Sequence, residues 1–398
     1  MNRAQTGGKR TTASGRAPKA IIIGAGIGGL TAAVALRRAG IDAEVYERAG
    51  DLWPAGTGLS LMSNALTALR SIGIDLGLER RGRSIETFHF LDAGGRPVRK
   101  LPLKEIGERL GAPSVNIHRA DLQQALLEKL GDRSVRLGAS AVDFRPTADG
   151  VRVRFTDGYE AHGDVLIGAD GLRSVVRRQL TGPEEPREHG YVCWLATTPF
   201  SHPRFTAGCV RHYWGSGRRF GLVDIGHGRA YWWGTKNMPP SAARGWNGGK
   251  DEVARAFTGW ADEVQEAIRI TPEEAIVSVP AQDRPFLERW GEGPVTLLGD
   301  AAHPMLTSLG QGAGTAVEDA VVLARSLAGS ACPRQGLRTY ESLRRDRARR
   351  MVRLSHRLSV IEQYERPLPC MLRGAYLRWT PAPVLYRQNL SLLTFAPT

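Results

Sequence analysis

The chain is poor in cysteine, in acidic residues relative to basic ones, and in long apolar runs, and each shortage closes off a class of function. Its 4 cysteines among 398 residues, Cys193, Cys209, Cys332 and Cys370, stand far apart with no C-x-x-C pair. That spacing argues against a zinc site and a disulfide framework, and fits a reducing cytoplasm. No apolar run reaches the roughly 18 residues a membrane-spanning helix needs. Residues 1–18 are basic and rich in Gly, Ser and Thr without an apolar centre, which predicts a disordered tail and not a secretory signal. Acids are outnumbered, 40 against 54 Lys and Arg, for a net charge of +14. No aromatic-interleaved or helix-turn-helix pattern accompanies that excess, so nucleic acid is not an expected partner. The densest basic segment, Arg344–Arg357, reads as the solvated face of a helix, with attraction for anionic cofactors as the second reading. No Ser/His/Asp set or carboxylate pair suited to hydrolysis emerges, and Glu318 and Asp319 read as helix-surface residues.

What is present begins with KAIIIGAGIGGLTAAVALRRAGIDAEVYERAG, Lys19 to Gly50. A buried strand runs into Gly24, Gly26 and Gly29, a helix rich in small residues follows, and a second strand ends at Glu47, which together read as one βαβ unit. In G-x-G-x-x-G the first glycine makes the tight turn, the second lets backbone approach a pyrophosphate, and the third lets helix meet strand. The helix N-terminus receives the phosphate charge. An acid at the end of the second strand accepts hydrogen bonds from a ribose 2′-OH, which favours FAD or NAD over NADP as the bound nucleotide.

Two later motifs separate FAD from NAD. LLGDAAHPMLTSLGQGAGTAVEDA sets Asp300 at the mouth of a buried strand, where a carboxylate suits a polyol chain. It then opens a helix at Gly312, Ala313 and Gly314, whose N-terminus would stabilise negative charge developing on a ring. GDVLIGADGLRSVVRRQL carries Asp170 and Gly171 at another strand end, with Arg173 and Arg177 on the next helix; a simple helix cap by Asp170 is the competing reading. Between the last two motifs lie tryptophans, Gly-rich turns and alternating runs, then a helical pattern over Asp251–Arg269, which predict a second, mostly antiparallel unit. The piece from Pro367 mixes leucines and aromatics with arginine, and is expected to pack over the body or a second subunit rather than touch a membrane.

In this order the motifs resemble the single-component FAD-dependent aromatic hydroxylases, the family typified by para-hydroxybenzoate hydroxylase and salicylate hydroxylase, over about residues 20–355. The resemblance implies that Glu47 binds the adenosine ribose with Arg48 beside it, and that Arg119, followed by Leu122 and Leu126, contacts FAD. It further implies that Asp170 and Gly171 serve FAD and the nicotinamide nucleotide, that Asp300 binds the ribityl chain, and that Gly310–Gly314 lies against the flavin pyrimidine. Two departures stand out: Thr307 and Ser308 occupy a place commonly held by proline, and Gly314 one commonly held by asparagine, so flavin placement is expected to differ slightly. AYWWGTKNMPP does not fit the W-x-W-x-I-P motif of the related flavin halogenases.

The fold expected is α/β: a discontinuous Rossmann-like FAD domain (19–80, 100–182 and 283–330), an antiparallel β-sheet substrate domain (81–99 and 183–282), and a helical region (331–398). The implied activity is monooxygenation: NADPH or NADH reduces FAD, O2 adds at flavin C4a, and the hydroperoxide hydroxylates an aromatic or polycyclic small molecule without a metal. Alkene epoxidation, a reductase or dehydrogenase, and a flavin-binding sensor are the alternatives. Trp194, Tyr213, Trp214, Phe220, Tyr231, Trp232 and Trp233 form the aromatic pool of the second unit, of which two or three are expected to touch substrate by strand alternation. Tyr213 is the preferred polar contact or proton relay, by likeness to a tyrosine of related hydroxylases. His212 is a weaker choice, and His303 is expected to brace its loop. A monomer or homodimer is expected.

Overall fold

The computed structural model describes residues 18–52, 57–131 and 135–396. The expected N-terminal tail lies outside these residues except for Pro18. Among them the helices are, in chain order, α1 (Ile27–Arg38), α2 (Ser63–Arg70), α3 (Leu78–Arg81), α4 (Leu103–Leu110), α5 (Arg119–Leu130), α6 (Val175–Thr181), α7 (Pro240–Arg244), α8 (Lys250–Ala256), α9 (Asp262–Ile270), α10 (Gly312–Gly329), α11 (Pro333–Glu362), α12 (Pro367–Trp379) and α13 (Ala382–Leu393). The helical pattern over Asp251–Arg269 breaks into α8 and α9 because Gly259 adopts φ +77° and turns the chain between them.

Four apolar residues in a row, Ala20–Ile23, make Lys19–Ile23 a strand buried on both faces. It is the centre of a five-stranded parallel sheet in the order Val295–Leu297, Val165–Gly168, Lys19–Ile23, Asp42–Tyr46, Val135–Arg136. The three strand ends that carry the glycine, Asp-Gly and Gly-Asp motifs are therefore neighbours, although the chain separates them by some 270 residues. A crevice at the carboxyl ends of parallel strands is where this architecture binds its ligands.

A seven-stranded sheet holds the second unit, in the order Val277–Asp283, Arg187–Pro199, Arg229–Asn237, Arg218–Asp224, Cys209–Trp214, Thr87–Asp92, Pro97–Leu101. All its pairs are antiparallel except Cys209–Trp214 with Thr87–Asp92. Alternation divides its side chains between two faces. Trp194, Tyr213, Phe220 and Trp232 join a core with Val253, Phe257 and Val264 of the α7–α9 layer. Cys193, His212, Tyr231 and Trp233 point the other way.

Helix α11, 30 residues and about 45 Å long, joins the two sheets. Near its start the Tyr340 hydroxyl donates to Leu297 O at 3.1 Å; near its end Ser359 Oγ meets the Tyr191 hydroxyl at 2.9 Å, and Glu362 pairs with Arg219. Here the structure corrects two expectations. Glu318 and Asp319 are not on a surface: both are fully buried, because α10 is enclosed by α1, α2 and α11. The basic run at Arg344–Arg357 is not simply solvated either, since Arg344 is buried between those carboxylates, 2.8 Å from Glu318 and 2.7 Å from Asp319, and Arg347 reaches Glu318 at 2.5 Å. The piece after Pro367 packs on the body through one face only.

Burial alone pushes Glu318 and Asp319 above the usual carboxylate range, but Arg344, with Arg347 on the first and His303 on the second, brings both below it. A depressed folded-state pKa contributes stability above the unfolded value and loses it as pH falls through the folded one. Denaturant unfolding followed against pH is therefore expected to show this contribution intact above about pH 5 and declining below about pH 4. Arg344→Ala leaves two buried carboxylates short of a partner and is expected to cost about 3–5 kcal/mol at neutral pH. A loss under about 1 kcal/mol in the same measurement would mean the cluster carries no such weight.

Candidate active site

Gly24 adopts φ +105°, and a Cβ there would lie 2.4 Å from Ala169 O; a Cβ on Gly29 would lie 2.0 Å from Gly24 O. Both positions admit only glycine. A Cβ on Gly26 meets nothing within 4 Å, so this backbone stands open in front of the α1 N-terminus, the geometry an incoming anion needs. Glu47 is tied to the same turn: its Oε2 accepts from Ala25 N at 2.8 Å and its Oε1 from Ala49 N at 2.9 Å. The remaining lone pairs of this half-buried carboxylate suit ribose hydroxyls. Arg48 beside it is exposed.

Helix α5 closes another side. Leu122 and Leu126 are buried, fixing the helix, while Arg119 at its first position stays exposed. Gln123, which the sequence did not single out, donates from Nε2 to Ala25 O at 3.3 Å and ties α5 to the glycine turn. Gln123 Oε1 is buried with no partner.

Asp300 faces this assembly from the last parallel strand. Its residue surface is exposed, yet protein crowds the carboxyl, so burial pushes its pKa up; His303 and Arg119 draw it back and Asp319 adds to the rise. A Cβ on Gly312 would stand 3.9 Å from Asp300 Oδ1, so the start of α10 borders the same space. Ala313 and Gly314 follow in that first turn. The site of a Gly314 side chain is bordered by Gln311 Oε1 at 3.3 Å and Asn64 Nδ2 at 3.4 Å. Asn64 donates to Gln311 Oε1 at 3.0 Å and Glu318 Oε1 at 2.6 Å, a tether with no motif to announce it.

Asp170 is tied to the start of α6, whose N-cap is Ser174. Its carboxylate accepts from Ser174 Oγ at 2.5 Å and from Val175 N at 2.7 Å at the start of α6. Burial pushes its pKa up, and these hydrogen bonds oppose the rise. Gly171, at φ +75°, turns the chain after it. The buried Arg177 carries the motif's influence to the groove, donating to Ala301 O at 3.3 Å and Ala302 O at 3.2 Å directly after Asp300. His303 braces the loop as expected, with Nε2 2.5 Å from Asp319 Oδ2.

The structure thus sets Gly24, Gly26, Gly29, Glu47, Asp300 and Gly312–Gly314 about the groove at the carboxyl ends of three neighbouring parallel strands, with Asp170 and Gly171 at the end of the middle one and Arg119 at the start of α5. A match to the FAD binding domain family model covers residues 18–355. The chain belongs to the single-component FAD-dependent aromatic hydroxylases. These are FAD-dependent monooxygenases, and the chain is accordingly an oxidoreductase. It is 39% identical over 387 residues to the aurachin C monooxygenase/isomerase of Stigmatella aurantiaca, covering 95% of this chain and 98% of that one. Its identity to the 3-amino-4-hydroxybenzoate 2-monooxygenase of Streptomyces cremeus is 36%, over 91% and 92% of the two chains. The crystal structure of Klebsiella pneumoniae HpxO with FAD and uric acid superposes with a TM-score of 0.88 at 30% identity, over 94% of this chain and 96% of that one. The open Gly26 backbone, the unspent Glu47 lone pairs and the Asp300 carboxyl beside the first turn of α10 fit the FAD of such a hydroxylase.

The candidate catalytic residue is not brought to the groove. Tyr213 is fully buried on the helix-covered face of the large sheet, its hydroxyl donating to Glu263 Oε1 at 2.8 Å and accepting from Arg211 Nε at 2.7 Å. The register of Cys209–Trp214 sends alternate residues to opposite faces, so its neighbours His212 and Trp214 lie on the other face, where Trp214 is covered by α12 with the Arg373 guanidinium 5.0 Å from its ring. Trp214 Nε1 donates to His212 Nε2 at 2.9 Å, and burial, with Arg219 and Arg373 nearby, pushes the His212 pKa well below the usual imidazole value.

Asp300→Ala removes an anionic acceptor from the groove and is expected to weaken FAD retention about ten- to hundredfold, read as flavin absorbance per protein after gel filtration. Because the change also removes Asp319's like-charged neighbour, the thermal stability of the flavin-free protein should not fall. Unchanged flavin content would exclude Asp300 from the site.

Proposed function

We propose that this monooxygenase consumes NADPH or NADH and O2 to hydroxylate a planar aromatic or fused-ring small molecule bound between the flavin groove and the groove-facing side of the seven-stranded sheet. One observation carries the reading. The turn Thr307–Leu309, which leads into Gly310–Gly314, lies against that sheet face: Leu306 clusters with Tyr191, Cys193 and Ala281, and Ser355 of α11 donates to Leu306 O. The sheet therefore roofs the loop expected to touch the flavin.

The roof is aromatic with a polar edge. Trp233 lies 4.7 Å from the His212 ring, and the Arg219 guanidinium stands 5.0 Å from the Trp233 ring. Arg219 pairs with Glu362, and both are buried. Burial pushes the Glu362 carboxyl up, while Arg219, Ser308 and Arg373 pull it back. Alternation turns Trp214, Tyr231 and Trp233 to this face, Trp214 at the end covered by α12; the other four of the pool are core or, for Tyr213, engaged elsewhere. Names of relatives support a ring substrate, since one acts on 3-amino-4-hydroxybenzoate and another is solved with uric acid.

In this proposal Gly26 and the α1 N-terminus hold the pyrophosphate, Glu47 the adenosine ribose, with Arg48 and Arg119 flanking, and Asp300 the ribityl hydroxyls. The first turn of α10 presents its backbone N–H groups to the pyrimidine edge of the ring, and the sheet excludes water from above. Bound FAD supplies the transfer of electrons from the nicotinamide to O2 and of one oxygen atom to the substrate. The role of Asp170 and Gly171 is to set α6 and, through Arg177, the Asp300 loop.

A panel of phenols, indoles and polycyclic compounds should include members that accelerate NAD(P)H oxidation and emerge carrying 18O from 18O2. Stimulated oxidation with no labelled product across the panel would leave a reductase. Trp233→Ala is expected to raise KM for such a compound about tenfold or more, about 1.4 kcal/mol, with FAD content retained. An unchanged KM would place the substrate elsewhere.

A further inference from the structure

Helix α12 has an inside and an outside of unlike chemistry. Inside, the buried Arg373 donates to Glu362 O at 3.0 Å and Gly215 O at 2.9 Å, and Leu377 is buried. Outside, Leu368, Met371, Leu372, Tyr376 and Trp379 are 60%, 63%, 58%, 59% and 77% exposed. Their spacing puts all five on one face. Val360 and Ile361 at the end of α11 and Val384 on α13 are exposed as well. A contiguous apolar surface of this kind marks an interaction site.

Charge selects the occupant. Residues 366–396 contain Arg366, Arg373, Arg378 and Arg387 and no Asp or Glu, and all but Arg373 are exposed. Arg353 and Arg357 add two exposed cations on α11. A second copy meeting this face about a two-fold axis would set the same arginines against one another. An anionic lipid surface would attract them, and Tyr376 and Trp379 are the residue types that settle at the headgroup level. At 13 residues, about 20 Å, α12 is too short to cross a bilayer, and among the described residues no helix is long and apolar enough to do so.

We propose that the outward face of α12, with its rim of arginines, docks the protein on the surface of an anionic bilayer, the helix lying parallel to the membrane plane. This runs against the expectation for the C-terminal piece, which favoured packing over the body or a second subunit to membrane contact. The face is separate from the groove, so docking and turnover can be measured independently.

The test uses the FAD-loaded protein and sedimentation with vesicles of phosphatidylcholine alone or with roughly one-third phosphatidylglycerol. Binding is expected only with the anionic lipid, weakened by high salt. Neutralising Arg378 and Arg387 should lower the partition coefficient about fivefold each. M371E/W379E should abolish binding while flavin content and solution turnover stay as in the unaltered protein. If that variant fails to fold, the R378A/R387A variant decides alone. Absent binding to either vesicle, binding indifferent to lipid charge, or a solution dimer that M371E/W379E converts to monomer would each overturn the proposal.

Discussion

The groove depends on a guanidinium held between two buried carboxylates. Arg344, projecting from α11, meets Glu318 and Asp319 on α10. Asp319 in turn accepts from Gly299 N at 3.2 Å and holds His303, so the carboxylate that neutralises Arg344 also shapes the turn bearing Asp300. Glu318 receives Asn64 Nδ2, which places Gln311 and the first turn of α10. One cation thereby sets both the turn bearing Asp300 and the helix start beside it. Burying three charges is costly, and the arrangement persists because each charge has several partners.

Much of this was legible because each motif couples a backbone demand to a residue type. Gly24 and Gly29 are obligatory for steric reasons that any reader of G-x-G-x-x-G can state, and Glu47 lies where a strand must end. Asp300 and its helix were equally plain. What stayed hidden depends on partners distant in sequence. Gln123 and Asn64 sit in ordinary amphipathic helices, and only the folded chain brings one to Ala25 O and the other to Gln311. Arg344 looked solvated because its segment is crowded with arginines, and which of them turns inward depends on the rotation of α11 against α10.

Tyr213 shows the opposite limit. Alternation does split the aromatic pool between the two faces of the sheet, with Trp214, Tyr231 and Trp233 on the face away from α7–α9. The absolute phase, which set looks inward, depends on the partner layer. The apolar faces of α7, α8 and α9 claim Trp194, Tyr213, Phe220 and Trp232, and a one-residue offset would have exchanged the two sets. Likeness to a family tyrosine could not supply that phase.

The lone parallel pairing in the large sheet governs the order in which the chain can assemble. Thr87–Asp92 must wait for Cys209–Trp214 before it gains that neighbour. At a ribosomal rate of roughly 5–20 residues per second, the intervening stretch of about 120 residues takes on the order of ten seconds to appear. During that interval the early hairpin has an unpaired strand edge in a nascent polypeptide, and this is where a chaperone would have the longest time to act.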